Sequence, residues 1–138
     1  GSTPLEAKER GRRLVRRLET GNHVEREEAA RELWRMCYHG DISRGWVSEQ
    51  GGVLSSLAQL ATVGTRGQKD SCAGLLCLLS DTTPAAKRSI GEIPGVLRAM
   101  CTLVREGTSQ AQRVNGAACV WFMAVDEVHR RRIAEEEP

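Results

Sequence analysis

The seven residues Ala30-Arg31-Glu32-Leu33-Trp34-Arg35-Met36 come back as Ala73-Gly74-Leu75-Leu76-Cys77-Leu78-Leu79 and again as Ala117-Ala118-Cys119-Val120-Trp121-Phe122-Met123, at offsets of 43 and 44 residues. Each run places a small residue first and apolar residues three and six positions later, a spacing that lines one face of an α-helix. A second register repeats independently. Leu14, Leu57 and Met100 are spaced by 43 residues, and Val53-Leu54 returns as Val96-Leu97. Two different helices therefore recur in phase. A period of 43 matches helical repeat units of two or three helices and exceeds the periods of shorter helical repeats.

Working outward, turn residues mark the joints between helices. Gly21-Asn22 separates a helix at about 4–19 from one at about 24–38, and Gly40-Asp41 opens a short helix that ends near 49 at Gly51-Gly52. A helix at about 53–63 is followed by Gly64-Thr65-Arg66-Gly67 and a helix at about 68–80. Thr83 can cap a short helix with Pro84 at its first position, where a missing amide proton costs least. Pro94 is expected to play the same part for a helix at about 94–106, followed by one at about 110–124 and a short polar one at about 126–136. Almost no segment alternates as a strand would.

The expectation is an all-α stack: residues 1–3 as a tag scar and disordered start, 4–39 as a partial first repeat, 40–81 and 82–125 as full repeats, and 126–138 as the start of another or a capping helix. The charged end reads either as a cut in a longer chain or as a native terminus. With 138 residues, 40% of them apolar and 28% charged, the chain has ordinary globular composition. Its net charge of +2 gives no global pull toward nucleic acid. The five cysteines lie within apolar helical patterns rather than loops, which points to reduced thiols and a cytoplasmic setting. No apolar run has the length of a membrane span.

The Glu49-Gln50-Gly51-Gly52-Val53-Leu54 junction, its counterpart Glu92-Ile93-Pro94-Gly95-Val96-Leu97 and the small-x-x-apolar runs resemble the armadillo family over roughly residues 4–136. That resemblance implies a right-handed superhelical solenoid of about three repeats that binds proteins in a groove lined by the last long helix of each unit. Arg44-Gly45, Val47, Gln50-Gly51-Gly52, Leu57, Leu60-Ala61, Gly64-Thr65 and Gly67 are more narrowly similar to the myosin-chaperone (UCS) armadillo domain. A cytoskeletal or motor protein is the partner this likeness implies. Where peptide-binding members of the family carry an asparagine ladder, this chain has Arg35, Leu78 and Phe122, which argues against an extended nuclear-import-type peptide.

On this geometry the groove candidates are Glu28, Arg31, Glu32 and Arg35, then Ser71 and Leu75, then Asn115, Cys119 and Phe122. Arg31 and Arg35 could grip a partner carboxylate, or serve a solvated face through ion pairs with Glu28 and Glu32. Trp34 and Trp121 hold equivalent places and are expected to pack between repeats, while Trp46 joins Val47 and Ile42. Arg12, Arg13, Arg16 and Arg17 are candidates for anion contact, although no nucleic-acid-reading motif accompanies them. Catalysis is not expected. His23, His39 and His129 accompany no nucleophile motif, Cys37 and His39 are too few ligands for zinc, and Gly64-Thr65-Arg66-Gly67 lacks a phosphate loop's lysine. The expected role is a protein-binding scaffold without cofactor. The alternative is a structural segment that self-associates through exposed repeat ends.

Overall fold

The computed structural model describes residues 3–136, all of whose regular structure is helical. In chain order the helices are α1 (Pro4–Thr20), α2 (His23–Tyr38), α3 (Arg44–Glu49), α4 (Val53–Val63), α5 (Arg66–Ser80), α6 (Pro84–Glu92), α7 (Val96–Glu106), α8 (Gln110–Met123) and α9 (Glu127–Glu135). The expected tag scar, Gly1 and Ser2, lies outside the described residues, as do Glu137 and Pro138. Thr3, counted there as disordered start, instead caps α1 by accepting a hydrogen bond from the Glu6 amide at 3.2 Å.

Side-chain caps set most helix starts. Asn22, Ser43, Thr65, Thr83, Ser109 and Asp126 each accept a bond from a first-turn amide that the helix itself leaves without a partner. Pro84 occupies the first turn of α6 as expected. Two boundaries differ. Gly40, at φ 78°, ends α2 while the Asp41 amide reaches back to the Met36 carbonyl, so the short helix starts after Ser43 instead of at Gly40-Asp41. Pro94 is not the first residue of α7. It sits inside a turn closed by Val96 N–H to Ile93 O, matching Val53 N–H to Gln50 O one repeat earlier, both at 3.2 Å. The third residue of each turn, Gly52 at φ 85° and Gly95 at φ 87°, adopts the left-handed conformation that favours glycine.

The long helices form two layers. α1, α4 and α7 stack in one, and α2, α5 and α8 in the other, with α5 packed against both α2 and α8. α3 lies against α4 and α5, α6 against α7 and α8, and α9 closes over α7 and α8. Such repetition is that of a stacked helical array, in which each unit buries its apolar stripe mainly on its neighbours. Between the layers runs one core, including Leu33, Leu57, Leu76, Val96, Met100 and Met123. Gly11 lets α1 approach Trp46, since a Cβ there would stand 2.8 Å from the indole. Trp46 thereby joins the buried Ile42 and Val47 in the seam expected for it.

A buried glutamine recurs with the stack. Thr65 N–H donates to Gln68 Oε1 at 2.9 Å, and Gln68 Nε2 donates to the His23 carbonyl of α2 at 3.1 Å. One repeat later Thr108 N–H donates to Gln112 Oε1 at 3.1 Å, and Gln112 Nε2 donates to Asp70 Oδ1 of α5 at 2.8 Å and more distantly to the Arg66 carbonyl at 3.5 Å. Each amide closes its own helix start and ties it to the first turns of the neighbouring helix in the same layer, α2 for Gln68 and α5 for Gln112. Both are fully buried, so their hydrogen bonds are made where water cannot replace them.

Candidate functional site

The layer made by α2, α5 and α8 carries a shallow depression of about 230 Å³ lined by Arg31, Trp34, Asp70, Ser71, Gly74 and Asn115. Residues from three successive repeats meet there. Trp34 provides the aromatic wall, stacked on Tyr38 with ring centroids 4.9 Å apart. Gly74 forms the floor. A Cβ on it would lie 3.6 Å from Trp34 and 3.9 Å from the Asn115 amide nitrogen. Asp70 is held at the edge by the Ser109 hydroxyl at 2.6 Å and by Gln112. Arg31 is tethered to Glu27 at 2.7 Å, an exposed i,i+4 pair of small energetic weight.

Three of the nine groove candidates, Arg31, Ser71 and Asn115, are therefore brought together. Leu75 and Cys119 are not surface residues, for each is 0% exposed. Leu75 follows Cys72 by three on the inward stripe of α5, and Cys119 belongs with Gln112, Gly116 and Met123 on that of α8. Phe122 is half-buried on another side, edge-on to Trp121 and under the Lys87 ammonium of α6 at 5.3 Å. Trp34 and Trp121, expected to pack alike, differ: Trp34 packs against the core, whereas Trp121 is 70% exposed. Asp70 and Gly74 were not candidates. A glycine in the middle of an apolar helix was the available signal, since it marks close approach.

Glu28, Arg31, Glu32 and Arg35 also line a larger depression of about 450 Å³ between α1 and α2, together with Arg10, Arg13, Arg17 and Glu25. Arg10 pairs with Glu32, and Arg35 approaches the same carboxylate at 3.7 Å. Arg31 takes Glu27 rather than Glu28 as its partner. The anion-contact candidates divide. Arg13 and Arg17 face α2 across this depression, whereas Arg12 lies over the Trp46 ring at 5.8 Å and Arg16 is exposed outside the lining. Arg12 and Arg13 point about 100° apart around α1, which accounts for the division.

Among the described residues, no group of three or more histidine, cysteine, aspartate or glutamate side chains is arranged to hold a metal ion, and no helix is long and apolar enough to cross a membrane. His129 is buried against Gly91 of α6, with its Nδ1 lacking a hydrogen-bond partner. No protein-family model matches the chain, and neither a curated protein nor a solved structure matches it significantly.

Proposed function

We propose that the chain is a non-catalytic, protein-binding scaffold module of armadillo type, a right-handed solenoid whose α2–α5–α8 layer holds a segment of a partner protein. The observation that carries this reading is the depression in which Arg31 and Trp34 of one repeat, Asp70, Ser71 and Gly74 of the next and Asn115 of a third share one surface. An aromatic wall beside amide, hydroxyl and guanidinium groups suits a polypeptide, whose backbone and side chains present both apolar and hydrogen-bonding surface. The glycine-containing turns before α4 and α7 support the armadillo reading by recurring at the same place in each unit. Five free cysteines support a cytoplasmic setting. A motor or cytoskeletal client is a narrower proposal, supported only by the sequence likeness across residues 44–67.

The test is capture of binding proteins at controlled salt by the parent chain and by an Arg31→Glu, Asn115→Ala variant of unchanged helical circular dichroism, followed by amide-exchange footprinting of any complex. A partner retained by the parent, lost by the variant and protecting α2, α5 and α8 supports the reading. Equal retention by both removes the groove from consideration.

A second reading, self-association, is favoured by the exposed Val114, Trp121, Val125 and Val128 around α8 and α9. Sedimentation velocity of the parent chain and of Trp121→Glu separates the two. A concentration-dependent dimer abolished by the substitution supports self-association, and a monomer in both returns the weight to the groove.

A further inference from the structure

Five guanidiniums converge on the depression of about 450 Å³ between α1 and α2. Arg10, Arg13 and Arg17, spaced three and four residues apart, share one face of α1, and Arg31 and Arg35 lie one turn apart on α2. The same lining holds three carboxylates, Glu25, Glu28 and Glu32, which leaves an excess of two positive charges. Those carboxylates are unevenly spent. Glu32 serves both Arg10 and Arg35, and Glu25 accepts from the Asn22 amide at its own helix start. Among the described residues, neither the guanidiniums of Arg13 and Arg17 nor the carboxylate of Glu28 has a hydrogen-bond or ion-pair partner. One repeat later the positions of Arg13, Arg17, Arg31 and Arg35 hold Ser56, Leu60, Gly74 and Leu78, so this charge is local and not part of the repeat plan. Arg31 also lines the smaller depression beside Trp34, and the two depressions therefore adjoin across one side chain. Its tie to Glu27 is an exposed pair that another carboxylate can replace at little cost.

We propose that this depression binds an acidic polypeptide segment, whose carboxylates take the free guanidiniums of Arg13 and Arg17 and whose adjoining residues cross Arg31 to reach Trp34. The second half rests on the groove reading above, whereas capture of the carboxylates depends on the α1–α2 depression alone. Charge complementarity selects the class of ligand. An excess of positive charge on a concave surface attracts anions, and a planar guanidinium can hold a carboxylate through two parallel hydrogen bonds. The interleaved Glu25, Glu28 and Glu32 select against a continuous polyanion such as a nucleic-acid backbone, because evenly spaced phosphates would be set against them. A polypeptide can instead place acidic side chains on the arginines and an amide N–H on Glu28.

The experiment titrates a fluorescein-labelled octaglutamate peptide with the folded full chain and follows its anisotropy at about 0.15 M salt, where exposed charges more than ~8 Å apart are largely screened. Octaglutamate should bind, and octaglutamine with the same label should not. The double variant Arg13→Gln, Arg17→Gln should weaken binding about fivefold or more. Lys8→Gln with Arg16→Gln removes the same charge from exposed positions of α1 outside the lining, and should change affinity less than about twofold. Helical circular dichroism checks that each variant is folded. Asn115→Ala, in the other depression, should leave octaglutamate affinity unchanged, so that a failed groove and a failed arginine site give different results. The proposal is overturned if octaglutamate does not bind at millimolar chain, or if the two double variants lose affinity equally. It is also overturned if labelled oligothymidylate binds through Arg13 and Arg17 more tightly than octaglutamate does.

Discussion

At the α2/α5 junction a tryptophan, Trp34, lies against a glycine of the α5 helix, whereas at the α5/α8 junction the equivalent position holds the half-buried Cys77. Beneath this difference the two junctions share one plan. A fully buried glutamine, Gln68 or Gln112, closes the start of the arriving helix and reaches back to the first turns of its layer neighbour, α2 or α5. The repeat thus reproduces the amide bracket that the backbone needs at each helix start and leaves the adjoining side chain free to vary. That freedom separates an aromatic wall at one junction from a half-buried thiol at the other.

The comparison breaks most easily in the core. Leu33→Ala and Leu76→Ala, at equivalent fully buried positions, should each destabilise the chain by about 2–5 kcal/mol. Val120→Ala, one repeat further and only half-buried, should cost roughly 1 kcal/mol. Urea unfolding measures all three, and equal losses would show that the last junction is packed as tightly as the others.

Replacing the buried amides comes next. Gln68→Leu and Gln112→Leu should each cost about 1–3 kcal/mol, because each leaves interior backbone groups without a partner. The loss should be greater for Gln112, which also holds Asp70. Equal denaturation midpoints for the two variants would mean that Asp70 contributes nothing to the second bracket.

Smaller effects sharpen the contrast between tryptophans. Trp34→Ala removes packing against Gly74 and Tyr38 and should cost on the order of 2 kcal/mol, less than for a fully buried indole. Trp121→Ala should shift stability by less than about 0.5 kcal/mol, since its side chain is largely in solvent. Thermal unfolding at low concentration distinguishes them.

The smallest effect lies at α9, which relies on a polar cap. Asp126 accepts from the Val128 and His129 amides at 2.9 and 3.2 Å and pairs with Arg88 at 3.0 Å. The bond from the His129 amide, with help from Arg88, holds its carboxyl below the usual carboxylate range. A depressed carboxyl stabilises the fold fully above its unfolded value, near pH 4, and loses that contribution as pH falls through the folded one. Protection of the Val128 and His129 amides should therefore fall on acidification, and Asp126→Asn should lack that pH dependence.

Much of this was legible in the chain. The 43-residue period and the caps at Thr83 and Pro84 follow from local rules, and the helix limits agree closely with the turn residues. Arg31, Ser71 and Asn115 were placed on a common surface by the geometry that the armadillo resemblance implies, and the depression contains all three. Leu75 and Cys119 were misplaced because spacing gives relative phase around a helix without saying which phase faces the neighbouring layer. The arginines of α1 divide for the same reason. Pro94 misled because a proline suits both the first turn of a helix and the turn before it, and the glycine that follows decides which.

The sequence by itself determined the helices, their order and their period, because those depend on residues a turn or two apart along the backbone. Only the tertiary structure decided that Gln112 reaches α5 and that Trp34 rests on Gly74 while Trp121 faces solvent. Those contacts join residues about forty positions apart, and they form when the packing of one layer on another fixes the rotation of each helix about its own axis.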